Sequence, residues 1–478
     1  MDTVFEQDNY MMTFINGFEK GEQDYVLAID VPTKYYKAKF KKNKEDNFVL
    51  MFTVDEEDDF NSEYFFSRPA VLCAQGTIDI ILMNFDARSI SMSLKAPHNV
   101  EVIYKSFTTE LDPSKWDYSQ HCAYYRYSKK DFRYTDLSLH YELTTNKNQH
   151  TSWRNAFVVK ESSQNEILVS FEETIPGDDA YCVFRCQKAM SYQAFEKIIK
   201  AVLISIGLLS GYYFGERAYF LSKYTGDPPQ SKVPLVIRYV NTSKSLKHSY
   251  PILDEVHYED IDRKRLELTT EQYGKLLHLL TDNDDYLRAF RLLIDASSID
   301  GISRGAIAAV ALESIANNLN EKGAAAAIIS NKEVASQLKY ELSKVLKKIK
   351  PRIPKEEYNK IESKVGAVNI QPNAVKLESC FEKVGIQLTD EEKFCISCRN
   401  SFLHGGVPKN KDLEFLSQED MVFMVSQRLI MLSAMLILKL AGYRGKVIDW
   451  GYTIIVKRRA IMSGSPFKKK GNAHRDLA

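Results

Sequence analysis

Short apolar runs separated by turn-forming residues fill residues 1–190 of the chain. Runs rich in Tyr, Phe, Val and Ile and bounded by Gly, Asn, Asp or Ser are typical of β-strands. Many short strands at this spacing predict an antiparallel β-sandwich or a jelly-roll-like domain. The predicted strands cover residues 25–29, 49–54, 71–74, 78–83, 100–107, 124–127, 156–160 and 167–171.

A helical period replaces the strand pattern over residues 191–221. Apolar residues recur there at intervals of three and four, which predicts a helix that packs on the β domain. The longest apolar run, residues 201–214, is too short for a membrane span and predicts a buried helix. Two further strands, 233–239 and 252–258, either close the N-terminal domain or link it to the next one.

The second half of the chain is patterned as helices with recognisable ends. Thr389 is followed three residues later by Glu392, and Ser417 by Asp420, so each pair predicts a capped helix start. A Gly-Gly pair at 405–406 predicts a helix end. The predicted helices cover residues 301–320, 331–350, 390–404 and 417–440.

These patterns predict an α+β protein of two domains and an extension. Residues 1–265 form the β-rich domain with its helix near 191–221, and residues 266–445 form an all-α bundle. Residues 446–478 are the C-terminal extension, and the end of that extension, from Ser463, is expected to be a frayed tail. A length of 478 residues agrees with two to three domains.

Composition excludes a global attraction to nucleic acid. The net charge is +1, so any contact with RNA must use a local basic patch. Eight basic residues and only three acidic ones lie between Lys344 and Lys364, which predicts a track for RNA phosphates. A solvated, Lys-rich helix face is the alternative. The candidate RNA-binding residues are Lys344, Lys347, Lys348, Lys350 and Arg352.

Cysteine usage and the N-terminus bear on location and on metals. Seven cysteines, with an N-terminus that lacks a signal peptide's basic and apolar regions, predict a cytoplasmic protein that does not associate with membranes. Cys395 and Cys398 have the spacing of half a zinc site, and Cys182 and Cys186 form a second pair. Core thiols are the favoured interpretation of both pairs, so neither a metal nor a cofactor is predicted.

The aromatic residues of the N-terminal half have two interpretations. The chain contains 27 Tyr and 25 Phe, and many lie in the predicted strands. Aromatic side chains pair across neighbouring strands, which makes packing the favoured interpretation. A ligand face for a glycan, a nucleotide or a peptide is the alternative.

The strongest chemical signal is the cluster Arg399, Asn400 and His404, which ends a predicted helix at the Gly-Gly pair. His404 suits proton transfer near neutral pH, and Arg399 carries a planar, permanently charged fork for phosphate oxygens. Asn400 lies one turn before His404 and can orient the imidazole or bind the substrate. The alternative is that Arg and His merely suit the negative end of a helix dipole.

This cluster resembles the signature of the HEPN ribonucleases, in which Arg and a polar residue precede a His by four to six positions. Residues 268–445 carry the resemblance. It implies a helical bundle that cuts RNA without a metal and leaves a 2′,3′-cyclic phosphate. It also implies a homodimer with a composite active site, because one His does not easily perform both proton transfers.

The whole layout, an aromatic-rich β domain before the helical one, is similar to the ApeA-like bacterial anti-phage proteins. That similarity implies an abortive-infection nuclease acting on host RNA, including tRNA, with a β domain that senses a phage-derived trigger. Two alternatives remain open. One is a catalytically silent HEPN module for dimerisation or RNA binding beside a ligand-sensing β domain, and the other is a carbohydrate-binding β domain on a helical scaffold.

Polar residues on the Ala-rich helix over 301–320 are secondary candidates for the same cleft. Glu313 and Asn317 lie four apart, and Arg304 lies near the helix start. For each of them a salt bridge or an exposed face is the favoured interpretation.

Overall fold

The computed structural model contains two compact units. The first is Met1–Ser249 with Glu255–Thr281, and the second is Tyr250–Asp254 with Asp282–Ala478. The structure describes residues 15, 24–29, 34–45, 47–55, 70–73, 80–82, 87–92, 97–108, 119–130, 141–144, 150–153, 156–160, 166–172, 179–186, 188–223, 235–241, 246–247, 250–253, 255–257, 264–266, 268–320, 328–329, 331–369, 373–462 and 474–477.

Antiparallel strands dominate the first unit, so the predicted α+β class is confirmed at this level. Its strands are β1 Asp24–Ile29, β2 Lys34–Lys42, β3 Phe48–Val54, β4 Ala70–Cys73, β5 Ile80–Leu82, β6 Ala87–Met92, β7 His98–Tyr104, β8 Phe107–Thr108, β9 Gln120–Ser128, β10 Tyr141–Thr144, β11 His150–Trp153, β12 Ala156–Lys160, β13 Glu166–Glu172, β14 Asp179–Cys186, β15 Tyr212–Tyr213, β16 Arg217–Lys223, β17 Leu235–Asn241, β18 Leu246–Lys247, β19 Glu255–His257 and β20 Lys264–Leu266. Fourteen of them form one sheet, in the order β12-β13-β14-β9-β16-β17-β8-β5-β4-β1-β2-β3-β7-β6.

The large sheet folds back on itself around an aromatic core. The rings of Phe48 in β3 and Tyr239 in β17 lie 4.9 Å apart, although their strands are six positions apart in the sheet. In a flat sheet that separation would be roughly 29 Å, at about 4.8 Å per strand. Phe40, Phe107 and Tyr104 are buried in the same core, so these rings pack as the favoured interpretation predicts.

The helix predicted over 191–221 is shorter than expected. Helix α1, Tyr192–Ser210, begins at the N-cap Ser191 and ends at Gly211, whose φ of 82° lies in the left-handed region. The continuation to residue 221 was wrong, because the chain turns at Gly211 and then enters β16, which pairs with β9 and β17. The ring of Phe195 lies 5.2 Å from that of His121 in β9, so the helix packs on the sheet.

The second unit is helical. Its α-helices are α3 Asp284–Ser298, α4 Gly301–Leu319, α5 Lys332–Ile349, α6 Lys355–Gly366, α7 Asn373–Lys383, α8 Asp390–Ser397, α9 Arg399–Leu403, α10 Gln418–Leu440 and α11 Trp450–Met462, with 3₁₀ turns at Lys350–Arg352 and Lys411–Leu413. Helix α10 packs against α3, α4, α8 and α11. Among the described helices it alone is long and apolar enough to cross a membrane, but 94% of its most apolar window is buried in the protein.

Both ends of the helical region differ in detail from the predicted boundaries. Helix α2, Thr270–Asp282, lies almost wholly in the first unit, where the hydroxyl groups of Tyr273 and Ser205 are 2.8 Å apart. Near the C-terminus, strand β21 Lys446–Ile448 pairs with β22 His474–Asp476. The prediction of a frayed tail was therefore wrong for residues 474–477, because Leu477 is buried and β22 is hydrogen-bonded to β21.

Candidate active site

The candidate catalytic residues lie at the end of α9, where the helix termination is well defined. Thr389 and Glu392 form the predicted capping box at the start of α8, with backbone contacts of 3.2 and 2.8 Å. The single helix predicted over 390–404 is divided into α8 and α9 by a turn at Cys398. Gly405, with φ of 72°, donates to the carbonyl of Phe402, and Gly406 donates to that of Ser401. These two bonds form a Schellman motif, which stops the helix at His404.

Arg399 is held by an acidic residue of a different helix. Its Nη1 atom forms an ion pair with Oε1 of Glu313 in α4. The Arg399 side chain is 3% exposed and the Glu313 side chain 34%, so the pair reaches the surface on the glutamate side. Burial lowers the pKa of Arg399. The carboxylate offsets the cost of burying this guanidinium.

The ion pair depends on a close approach between α9 and α4. Phe402 in α9 is buried and lies directly over Gly305 in α4. A Cβ atom at Gly305 would stand 2.6 Å from the Phe402 ring, a distance that real Cβ atoms do not adopt. Gly305 therefore lets the two helices come close enough for Arg399 to reach Glu313.

The other predicted site residues are at the surface. Asn400 and His404 are exposed on α9, and Asn317 is exposed on α4, one turn beyond Glu313. Within the described residues their side chains form no hydrogen bond. The structure thus brings Arg399 and Glu313 into contact and leaves the amides and the imidazole open to a ligand.

Apolar side chains are exposed beside these polar ones. Val310, one turn before Glu313 on α4, is 44% exposed, and Leu403, the neighbour of His404, is 40% exposed. Side chains of this size normally pack inside. The surface around the ion pair therefore combines a charged or polar centre with apolar residues.

The basic segment forms an exposed helical hairpin of α5 and α6, which pack on each other. Leu346 and Tyr358 are buried between the helices, whereas the five candidate RNA-binding residues are exposed. None of the five has an ion-pair partner among the described residues. Lys350 Nζ lies 4.8 Å from the ring centre of Tyr358, and the other four charges are available to a polyanion.

Arg304 does not belong to the candidate cleft. Its side chain is 4% exposed, pairs with Asp300 at 2.6 Å and lies 5.3 Å from the ring centres of Tyr250 and Phe423. These contacts assign it to the packing of α4 in the helical unit.

The cysteine pairs are core thiols. Cys182, Cys186, Cys395 and Cys398 are all buried. Burial raises the pKa of Cys186 and of Cys398 to about 11, and raises that of Cys395 further. No three His, Cys, Asp or Glu side chains are placed to hold a metal ion in the described part of the chain.

Comparison with protein-family models, curated proteins and solved structures gives no match for this chain. Its function is therefore inferred from its own residues. The sequence pattern favoured a salt bridge or an exposed face for Glu313, but it did not name Arg399 as the partner. The sequence feature that could have indicated this contact is that Glu313 is the single acidic residue of the Ala-rich segment 301–320.

Proposed function

We propose that this chain is a metal-independent endoribonuclease of the HEPN type, acting in the cytoplasm in bacterial anti-phage defence by abortive infection. Its substrate is host RNA, including tRNA. One observation carries the proposal: Arg399, Asn400 and His404 share a terminated helix, with Arg399 anchored and His404 exposed. In this proposal the helical unit is a HEPN bundle, and the folded-back sheet is a β-sandwich-like sensor of a phage-derived trigger.

The chemistry needs a base, an acid and a cation. The base takes the proton of the RNA 2′-hydroxyl, whose oxygen attacks the adjacent phosphorus. The bond to the 5′-oxygen breaks, and the acid protonates that oxygen. The products are a 2′,3′-cyclic phosphate and a 5′-hydroxyl end. The exposed His404 supplies proton transfer, and Arg399 stabilises the charge on the phosphate.

The ion pair with Glu313 shapes the role of Arg399. A guanidinium has five N–H donors in a fixed plane, so one carboxylate leaves donors for a phosphate oxygen. Glu313 fixes the plane of the guanidinium before substrate arrives, which reduces the reorganisation needed during the reaction. Glu313 is therefore a positioning residue in this proposal, and Asn317 lies on the same exposed face of α4.

A second copy of the chain would complete the site. One imidazole does not easily act on both sides of the phosphorus, so two copies of His404 would divide the two proton transfers. The exposed Val310 and Leu403 support this homodimer, because they flank the site and association would bury them.

The direct test is RNA cleavage in excess EDTA by the wild-type chain and by His404→Ala. Cleavage by the wild type alone, with cyclic-phosphate ends, supports the proposal. Equal cleavage by both proteins rejects His404 as the catalytic group. His278→Ala is the matched control, because His278 is an exposed histidine outside the candidate site.

A catalytically silent HEPN module is the second candidate, and the burial of Arg399 favours it. A guanidinium that is 3% exposed and paired with Glu313 can serve structure alone. Arg399→Lys keeps the charge but removes the planar fork. If cleavage is present in the wild type and lost in Arg399→Lys while dimerisation persists, the silent module is excluded.

A further inference from the structure

Strand β2 carries an unusual row of side chains on its solvent face. Its alternate residues Tyr35, Lys37, Lys39 and Lys41 are exposed, and Tyr35 is 69% exposed. Lysine is depleted in strands, where it usually protects a sheet edge from pairing with another chain. That explanation does not apply to β2, because it is paired on both sides, with β1 and β3.

The charges of three lysines in this row have no counterpart in the part of the chain that the structure describes. Lys37, Lys39 and Lys41 have no ion-pair partner among the described residues. The row therefore presents three positive charges, at intervals of two residues or about 6.7 Å along the strand.

Lys37 and Lys39 of this row line a groove of about 730 Å³ that crosses β1, β2, β3, β6 and β7, and Tyr35 and Lys41 lie on the same strand beyond its lining. Val26 lies opposite Lys37, and Met51 lies opposite Lys39, so the lysine stems border an apolar floor. On the neighbouring strands the Thr53 hydroxyl is 3.1 Å from the Asn99 side-chain oxygen. Binding grooves of this size combine an apolar lining with a few polar groups.

We propose that this groove binds single-stranded nucleic acid. The lysine row follows the phosphates, since their spacing along an extended strand suits successive backbone charges. Tyr35 offers a stacking surface for a base, as aromatic side chains do in proteins that bind single strands. The apolar floor accepts further bases, and the hydroxyl and amide groups face their polar edges.

Glu101 distinguishes between the two polyanions that could occupy the groove, a nucleic acid and an acidic protein segment. It lies across β3 from Lys39, with Met51 between them, and it is the carboxylate among the residues lining the groove. A carboxylate accepts hydrogen bonds from the N–H groups of bases, among them N3–H of thymine, but repels the carboxylates of an acidic polypeptide. It therefore favours nucleic acid over an acidic protein segment, which would otherwise match the lysine row.

The test measures binding of a fluorescein-labelled oligodeoxythymidylate about 12 nucleotides long, within the usual range of single-strand sites. DNA has no 2′-hydroxyl, so the measurement is independent of the proposed RNA cleavage. A negative binding result would leave the nuclease proposal intact, and a negative cleavage assay would leave the groove proposal intact. We expect Lys37→Gln with Lys39→Gln to weaken binding at least tenfold, and to reduce the dependence of log K on log salt by about 1.4.

The matched control is Lys188→Gln with Lys200→Gln, which removes two exposed charges elsewhere in the same unit. Tyr35→Ala should weaken binding about fivefold or more without changing the salt dependence, since stacking releases no counterions. Equal affinity of the groove variant, its control and the wild type overturns the proposal. The proposal is also overturned if polyglutamate displaces the DNA at equal charge concentration and Tyr35→Ala has no effect on binding. That result would favour an acidic protein partner.

Discussion

The carboxylate of Glu313 in α4 holds the buried guanidinium of Arg399 at the start of α9. This ion pair joins the helix end that carries His404 to the Ala-rich helix beside it. The pair holds Arg399 in place, whereas Asn400 and His404 remain exposed.

Replacement of Glu313 should therefore affect both stability and cleavage. Glu313→Gln leaves the Arg399 charge without its partner, and we expect a loss of about 1–2 kcal/mol in the free energy of unfolding, because Glu313 is partly solvated. RNA cleavage should fall with it, since the guanidinium loses its orientation. Urea denaturation and a cleavage assay measure the two effects. An unchanged stability in Glu313→Gln would show that the pair is not formed in solution.

The contact of Gly305 with Phe402 gives a steric prediction. Gly305→Ala places a methyl group against the Phe402 ring, so we expect a destabilisation of about 1–3 kcal/mol from the displaced helix. Gly366→Ala is the control, because a Cβ atom at this helical glycine meets nothing within 4 Å. The control should be neutral or stabilising by about 0.5–1 kcal/mol. A lower urea midpoint for Gly305→Ala than for Gly366→Ala would support the predicted contact, and equal midpoints would contradict it.

Asp420 predicts a pH dependence of stability. Burial acts to raise its pKa, but hydrogen bonds from Arg458 and Ser417 outweigh burial and hold the pKa below its usual value. A lowered pKa in the folded state stabilises the protein above the unfolded value of about 3.9, and this stabilisation is lost as the pH falls through the folded value.

Asp420→Asn should therefore be less stable than the wild type at neutral pH. The difference should shrink as the pH falls below about 3.9, where the carboxylate of the unfolded wild type takes up a proton, and it should be lost once the pH is below the pKa of the folded state. Denaturation of both proteins across this range measures the effect, and a difference that does not change with pH would contradict it.

The C-terminal strand should stabilise α8, the helix that directly precedes the site helix α9. Arg475 pairs with Glu392, a side chain that is 3% exposed, and also donates to the carbonyl of Gln387. Arg475→Ala leaves this buried carboxylate with fewer partners, and we expect a loss of about 1–3 kcal/mol. Arg444→Ala is the control, because Arg444 is exposed. A double-mutant cycle with Glu392→Gln should show coupling between the two sites.

The hairpin lysines should contribute to RNA affinity through charge alone. We expect Lys347→Gln with Lys348→Gln to weaken binding of RNA of any sequence and to reduce the salt dependence of log K by about 1.4 for a single strand. Lys332→Gln with Lys339→Gln is the control, because it removes two charges from the same helix outside the predicted cluster. Loss of affinity confined to particular sequences would instead indicate contacts with bases.

Local sequence determined the elements whose cause is local. The capping box at Thr389 and Glu392, the Gly-Gly helix end and the apolar period of α10 all follow from neighbouring residues, so each was predictable. Strand β2 was missed because its lysines conceal the alternation of buried and exposed positions. Helix α1 was extended too far because its apolar period continues past Gly211, where the backbone turns.

Local sequence was sufficient to predict the α+β class, the candidate residues Arg399, Asn400 and His404, and the basic segment, because periodicity and residue chemistry are local properties. The burial of Arg399 against Glu313 and the position of Lys37 and Lys39 in a groove became visible only in the folded chain. Both depend on contacts between segments that are distant in the chain, and those contacts are set by the packing of helices and by the pairing of strands.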